Sequence, residues 1–470
     1  MNSIITRFAP SPTGNLHIGG VRTALINYII TQQNKKSYKN SKFLLRIEDT
    51  DKLRSNNDFK TNIIDSLKWL NIDYDDEIYI QSEKIIRHKE IAYELLKKNK
   101  AFKCICTSEV LQKKREENRK NKINLKRLCE NCEENKDIQS LEEGFAVRIK
   151  IPNSQQIKIK DLIQNEITIQ NKELDNFIIL RNDGSPTYML SVVVDDYDMG
   201  VNLIIRGDDH LNNAFRQISI YQNMNWPIPQ YAHLSLINGE NGEKLSKRHG
   251  AVNIKELKEK GYLKESIINN LILLGWAPPN KNEIISINSI IDLFDIKKIS
   301  KSASIFSYKK LDFFNNHYIK SDQDLINLTN YSKNNPNLRL YLDKDMEKYK
   351  RVFKIYQKKI NFYKDLESII PIYFNEEYIT NKNDLLDINF NNLIKDFYGI
   401  LEKVNKWEIE ILENKLSDFI DSKDIKFVIF GKPLRVMLIN EINGPSISDI
   451  LYILGKKNSL HRINNYIKSL

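Results

Sequence analysis

Cysteine is scarce in this chain of 470 residues: there are four, all between Cys104 and Cys132. Thiols confined to one stretch argue for a local site and exclude a disulfide framework spread through the fold. Long apolar runs are missing as well. None approaches the roughly 20 residues that a membrane-spanning helix needs. Met1 to Phe8 lacks the charged-then-apolar arrangement of a secretory leader. No internal repeat and no long low-complexity tract is present. A soluble, cytoplasmic protein made of ordinary domains is the expectation.

What is present points to several domains with proper cores. The length suggests about three or four, and the apolar fraction of 41% excludes wholesale disorder. Lysine and arginine number 72 against 61 acids, a net charge of +11. Such an excess favours a polyanionic partner. The abundance of Asn, Ile and Lys also fits a codon bias, so charge alone leaves nucleic acid open.

The most informative stretch is Arg7-Phe-Ala-Pro-Ser-Pro-Thr-Gly-Asn-Leu-His-Ile-Gly-Gly20. Ile4 to Phe8 predicts a short buried strand, interrupted by Thr6 and Arg7. Pro10, Pro12 and Gly14 then break regular structure. From Gly19 onward Val21, Ala24, Leu25, Tyr28 and Ile29 recur at helical steps. Strand, tight loop and helix deliver His17, Gly19 and Gly20 to a helix N-terminus. Free amides and the helix dipole there favour a phosphate, and glycine admits a ligand close to the backbone.

Lys42 to Ile47 predicts a second strand, ending in the acidic tip Glu48-Asp-Thr-Asp51 with Arg54 beyond. A parallel strand opening into a site has this form; a solvated acidic loop has the same composition. Asp58 to Leu70 and Glu83 to Lys98 predict helices. Cys104 and Cys106, then Cys129 and Cys132, bracket a polar helix from Ser108 to about Lys122. Two thiol pairs suit tetrahedral Zn²⁺; four reduced, unmetallated thiols are the alternative. Glu143 to about Gln170 alternates like a small inserted sheet. Asn202 to Ile205 predicts a strand stopping at Arg206-Gly-Asp-Asp-His210, followed by a helix over Leu211 to Gln222.

His233 to Ile237 predicts a further strand, which runs through a glycine-flanked loop into Lys244-Leu-Ser-Lys-Arg248. Its cations suit a mobile lysine loop closing on a phosphate chain, or an ordinary basic surface loop. From Ile254 the chain is mostly helical. Over Lys344 to Lys364, Met346, Tyr349, Val352, Phe353, Tyr356, Ile360 and Tyr363 form one helical stripe expected to face a core. Phe430-Gly-Lys-Pro433 and Gly444-Pro445 punctuate the last helices. Ser446 and Asp449 have the spacing of an N-cap and its N3 acid.

Pro10 to Gly20 resembles the HIGH signature of class I aminoacyl-tRNA synthetases, and Lys244-Leu-Ser-Lys-Arg248 resembles their KMSKS signature. The wider run from Arg7, with Arg46-Ile-Glu-Asp-Thr-Asp51, Pro186-Thr-Tyr188, Val193-Val-Asp-Asp196, Ile205 to His210 and Phe306 to Ile319, is similar to the bacterial glutamyl-tRNA synthetases. The likeness is dense to about residue 320 and thinner beyond. It departs at Gly20, where many class I enzymes have histidine. Lys301-Ser-Ala-Ser304 copies a lysine loop but lies too far downstream, and is expected to be structural.

That resemblance implies an α/β fold: a Rossmann-like parallel sheet with an inserted acceptor-binding domain, then an all-α anticodon-binding region. The implied boundaries are 1–103 and 186–250 for the two halves of the catalytic domain, 104–185 for the insertion, 251–320 for a helical stem-contact domain and 321–470 for the anticodon-binding domain. The implied reaction forms glutamyl-adenylate from L-glutamate and ATP with Mg²⁺, then transfers glutamate to tRNA-Glu, with tRNA-Gln a second candidate acceptor. By likeness His17, Lys244 and Lys247 are catalytic. Pro10, Ser11, Thr13, Gly14, His17, Gly19, Gly20, Lys244, Leu245, Ser246, Lys247 and Arg248 hold ATP. Arg7 and Tyr188 hold the glutamate side-chain carboxylate, Arg206 the α-carboxylate and Glu48 the ammonium, with Ser11 and His210 nearby. An arginine fork suits a carboxylate because it pairs with it bidentately. Zn²⁺ on Cys104, Cys106, Cys129 and Cys132 follows from the same likeness, Cys132 being the variable ligand. A monomer without membrane contact is expected.

Overall fold

The computed structural model describes residues 3–51, 54–120, 129–152, 155–243, 252–321, 324–381 and 387–470. No helix among them is long and apolar enough to cross a membrane. The chain divides into two compact units: Met1–Glu259 with Lys264–Leu311, and Lys260–Leu263 with Asp312–Leu470. Most of the stretch expected as a separate stem-contact domain is thus part of the first unit.

The first unit begins with β1 (Ile5–Phe8), α1 (Ile18–Lys35), β2 (Lys42–Ile47), α2 (Asn57–Trp69) and β3 (Asp75–Ile80). β2 lies between β1 and β3 and is parallel to both. Parallel neighbours require crossovers, and α1 and α2 provide them. Next come α3 (Ile85–Lys97), β4 (Ala101–Cys104), α4 (Ser108–Lys120), α5 (Glu130–Glu134), α6 (Lys136–Ser140), β5 (Ala146–Ile149), β6 (Gln156–Asp161), β7 (Asn165–Gln170) and β8 (Ile178–Leu180). The chain returns through α7 (Tyr188–Asp198), β9 (Leu203–Gly207), α8 (Leu211–Met224) and β10 (Gln230–Leu234). β9 and β10 are parallel. Asn202 N donates to Ile5 O at 3.1 Å, and Ile5 N to Asn202 Oδ1 at 2.9 Å, so β9 lies against β1. The spatial order β3-β2-β1-β9-β10 reverses between β1 and β9. Such a switch point opens a crevice at the C-terminal strand ends.

The β-rich stretch does not form one inserted sheet, which corrects the sequence expectation. β4, β5 and β8 make an antiparallel sheet of their own. The β6–β7 hairpin instead extends the parallel sheet: Tyr231 of β10 pairs with Asp161, and Leu162 N donates to Tyr231 O at 2.9 Å. Alternation tells which face of β6 is buried, through Ile157 and Ile159, but not which strand it joins.

The unit continues with β11 (Ile237–Asn238), α9 (Ile254–Lys260), α10 (Lys264–Leu273), α11 (Ile287–Leu293) and β12 (Ser304–Ile305), then enters α12 (Tyr308–Lys320). β11 and β12 pair, with Ser304 N donating to Leu236 O at 3.0 Å. Of Lys301-Ser-Ala-Ser304, expected to be structural, Ser304 opens β12 and the three residues before it are exposed.

The second unit carries α13 (Asp324–Asn334), α14 (Pro336–Lys344), α15 (Met346–Tyr356), α16 (Leu366–Phe374), α17 (Ile388–Glu402), α18 (Ile409–Ser422), α19 (Phe427–Ile439) and α20 (Ile447–Lys468). Its core includes Tyr349, Phe353, Phe390, Phe397 and Phe430. Two expectations are corrected. The single stripe over Lys344 to Lys364 is broken: α15 ends at Tyr356, Met346 is exposed, and Ile360 and Tyr363 are buried from beyond the helix. Gly431 and Pro433 lie inside α19 rather than ending it. Burial of Phe430, Leu434, Met437 and Leu438 carries that helix across a residue that cannot donate a hydrogen bond.

Candidate functional site

The loop between β1 and α1 is tied to the chain that follows β2. Glu48 N donates to Pro10 O at 3.0 Å and Asn56 N to Pro12 O at 3.1 Å, and Thr13 N turns back to Ser11 O at 2.8 Å. Past Gly14 and Asn15, Leu16 N donates to Asn62 Oδ1 at 3.0 Å. His17 is the N-cap of α1, and its Nδ1 accepts the Gly20 N–H at 3.2 Å. An accepting Nδ1 places the proton of a neutral ring on Nε2. A Cβ on Gly19 would lie 3.1 Å from that Nδ1, and one on Gly20 would lie 3.0 Å from Leu16 Cδ1. Glycine at both positions lets the ring fold over the first turn. Both glycine amides were expected beside a phosphate. Gly20's is committed to His17, and Ile18's to Val252 O at 3.1 Å.

Lys244, Leu245, Ser246, Lys247 and Arg248 lie outside the described residues. The chain beyond them is placed. Ile18 N donates to Val252 O at 3.1 Å, Ile254 N donates to Leu16 O at 3.0 Å, and His17 forms an antiparallel bridge with Asn253. The chain leaving the lysine segment is thus hydrogen-bonded on both sides of His17.

Beside this loop, at the C-terminal ends of β1, β2 and β9, sits a buried charged cluster. Arg7, 4% exposed, donates from Nε to Asp196 Oδ1 at 3.0 Å. Arg46, with no exposed surface, reaches the same oxygen with Nη1 at 2.6 Å and Glu48 Oε1 with Nη2 at 3.1 Å. Asp195, next in chain to Asp196, lies on the other side of Arg46, with Oδ2 3.9 Å from its Nε; it accepts from Tyr79 OH at 3.0 Å and Gln81 Nε2 at 2.6 Å, and contacts His88 Nε2 at 2.7 Å. Burial pushes the Asp196 carboxyl up, but Arg46 and Arg7 outweigh it and hold the group below its ordinary range. For Glu48 burial wins over Arg46 and Arg7, and its carboxyl is raised.

Tyr188 opens α7, with its hydroxyl 3.3 Å from His210 Nδ1. Burial raises its phenol, Glu48 adds to the rise, and Arg206 and Arg7 oppose it. His210 is pushed down by burial and then by Arg206. Arg206 itself, 6% exposed, donates from Nε to His233 Nε2 at 3.2 Å and from Nη2 to His210 O at 3.3 Å. Arg7, Glu48, Tyr188, Arg206 and His210 therefore gather in one place, with Ser11 exposed in the adjoining loop. Cationic forks with a buried carboxylate suit a zwitterion bearing a second carboxylate. No role was expected for Arg46, Asp196, Asp161 or His233. Their signal is charge inside or at the end of apolar runs, such as Arg46 between Leu45 and Ile47.

The thiols form a separate cluster. The sulfurs of Cys104, Cys106 and Cys132 all lie within 4.8 Å of one another, and those of Cys106 and Cys132 are 3.5 Å apart. Zn–S bonds of about 2.3 Å set tetrahedral sulfurs roughly 3.8 Å apart, so the set fits Zn²⁺. A hydrogen bond from Cys129 draws the Cys104 thiol down to about 4, and the same contact pushes Cys129 up. Cys132, the variable ligand by likeness, belongs to the tight trio; Cys129 stands outside it.

A switch-point sheet with a His-capped helix beside buried arginines is the architecture of the catalytic half of a class I tRNA synthetase. Residues 3–313 match the family described as tRNA synthetases class I (E and Q), catalytic domain, and residues 325–467 match an anticodon binding domain. Glutamate–tRNA ligase 2 of Zymomonas mobilis is 39% identical, over 99% of this chain and 97% of its own. Glutamate–tRNA ligase 2 of Rickettsia akari is 38% identical, over 98% and 99%. The crystal structure of a glutamate tRNA ligase from Elizabethkingia meningosepticum in complex with its amino acid has a TM-score of 0.83 at 26% identity, covering 100% of both chains. The chain belongs to the E and Q family of class I tRNA synthetases.

Proposed function

We propose that this chain activates L-glutamate with MgATP and esterifies the terminal ribose of tRNA-Glu with it. Kinship over the full length to glutamate–tRNA ligases supports this, and the buried arginine cluster beside His17 is the observation that carries it. An α-carboxylate oxygen of glutamate attacks the α-phosphorus of ATP, and the bond to pyrophosphate breaks. The ribose hydroxyl then attacks the acyl carbon, and AMP leaves. Neither step needs a covalent enzyme intermediate; positioning and charge stabilisation supply the catalysis.

In this proposal Arg7, steadied at Nε by Asp196, pairs with the side-chain carboxylate alongside the Tyr188 hydroxyl. Arg206 takes the α-carboxylate. Glu48 meets the ammonium, a contact that offsets the burial of its charge. His17 donates from Nε2 to the triphosphate, and Lys244 and Lys247 neutralise its developing charge. Pro10 to Gly14 and Gly19 line the nucleotide. Zinc, held by Cys104, Cys106 and Cys132 with Cys129 beside them, supplies cross-linking of β4 to α5 and no chemistry. The enzyme works as a cytoplasmic monomer.

Charging assays with labelled glutamate and labelled glutamine test the proposal, with tRNA-Glu and tRNA-Gln supplied side by side. Glutamate on tRNA-Glu is expected; glutamine charging in its place would overturn it. Lys247→Ala is expected to lower ATP–pyrophosphate exchange on the order of 10²–10³-fold with the fold intact, and near-normal exchange would remove the lysine from its role. Metal analysis of purified protein is expected to find zinc, lost on replacing Cys104 by serine.

A further inference from the structure

Behind Arg206 lies a chain of buried polar groups that no substrate role accounts for. Asp161 ends β6, and its Oδ1 accepts the backbone N–H groups of Ile163 at 2.9 Å and Gln164 at 2.8 Å. Its Oδ2 lies 2.7 Å from Nδ1 of His233, a residue with no exposed surface. On β10, His233 is the register partner of Arg206 on β9. The other ring nitrogen, Nε2, lies 3.2 Å from Arg206 Nε. An arginine Nε always carries hydrogen and cannot accept. His233 Nε2 must therefore be the acceptor, which leaves the ring proton on Nδ1, facing a carboxylate. Burial lowers the His233 pKa and Arg206 adds to that, with Asp161 and Asp208 opposing, so the ring is neutral. Arg206 Nη2 is occupied by His210 O at 3.3 Å, while Nη1 is buried and has no partner among the described residues. The guanidinium is clamped on two sides, with the two N–H groups of Nη1 left for a ligand.

We propose that Asp161 and His233 are positioning residues for amino-acid recognition: Asp161 fixes His233 as the Nδ1–H tautomer, and Nε2 then orients Arg206 so that Nη1 meets the α-carboxylate. This rests on the assignment of Arg206 to that carboxylate. It also gives the β6–β7 hairpin, reached through the inserted segment, a part in the site through His233.

Asp161→Asn reverses the proton logic, and because Oδ2 also accepts the His233 backbone N–H at 3.1 Å, the His233 variants isolate the part played by the ring. The amide keeps the shape but donates where Oδ2 accepted. The proton moves to Nε2, which then faces Arg206 donor to donor. The expected result is a rise in KM for glutamate of roughly 10- to 100-fold, with KM for ATP little changed. His233→Leu should behave likewise. His233→Gln, which restores an acceptor, should recover part of the loss. Nitrogen-15 spectra of histidine-labelled full-length protein should show a neutral His233 protonated at Nδ1, and at Nε2 in Asp161→Asn. An Nε2–H tautomer in the unaltered protein, or unchanged glutamate KM in Asp161→Asn and His233→Leu, overturns the proposal. Should Asp161→Asn not fold, the leucine and glutamine variants decide by the same measurement. Arg206→Gln is the control: if its glutamate KM is also unchanged, the Arg206 assignment fails; if it rises alone, only the positioning role fails.

Discussion

Asp196 holds Arg7 still, which is what the proposed reading of the glutamate side chain by Arg7 requires. Arg7→Ala is expected to raise KM for glutamate far more than KM for ATP, and equal rises would refute its role. One oxygen of Asp196 serves both Arg7 and Arg46, and all three side chains are at most 5% exposed. Asp196→Asn removes the carboxylate that Arg7 pairs with and one of the three around Arg46, which keeps Glu48 and Asp195. Removing one member of a buried pair costs about 3–5 kcal/mol, to be read as a lower urea midpoint. The pH dependence has a definite sign. Asp196 is lowered in the folded state, so its stabilisation is complete above the unfolded carboxyl value of about 3.9 and is lost as pH falls through the lower folded value. The variant should show a shallower acid dependence than the parent. Arg7 and Arg206 are legible in the sequence as charges at the ends of apolar strands. Arg46 and Asp196 stand in equally visible motifs, but their pairing joins residues far apart in sequence, and only the tertiary fold brings them together.

Elements whose signals are local are read more reliably than those whose partners are distant. β2 has the predicted span, Lys42–Ile47, and α2 departs from its expected span by one residue at each end. The Ser446 cap is another local signal: Asp449 N donates to Ser446 Oγ at 3.0 Å, and Ser446 Oγ donates to Asp449 Oδ2 at 2.6 Å. Ser446→Ala removes that cap and should cost about 1 kcal/mol, seen as a lower midpoint for unfolding with catalysis unchanged. A midpoint identical to the parent would mean the cap is replaced by water at no cost. β6 illustrates the opposite case. Its alternation is plain, yet its membership of the parallel sheet depends on Tyr231, in a strand far along the chain. α15 fails differently, since apolar residues past Tyr356 continue to be buried after the helix has ended. Burial periodicity records which residues face a core, not where hydrogen bonding stops.

At the scale of the whole molecule, one unit binds small anions and the chain as a whole must bind a large one. The two steps therefore respond differently to salt. In the proposed function glutamate and the adenylate meet buried partners, such as Arg206 at 6% exposure, which bulk ions screen weakly. In the same proposal a tRNA meets the excess of cations behind the net charge of +11, and each phosphate contact would release counterions. The logarithm of tRNA affinity falls with the logarithm of salt by about 0.7–0.9 per contact. Between about 50 and 200 mM salt, kcat/KM for tRNA should fall by roughly tenfold if about two contacts form, and by more with each further contact. KM for glutamate, measured by pyrophosphate exchange with tRNA held saturating, should change little over that range. Parallel slopes for the two substrates would mean that the basic surface is a compositional bias and not an RNA-binding face. That alternative was open from the composition, because an excess of lysine is the same number whether it is scattered or gathered on one side.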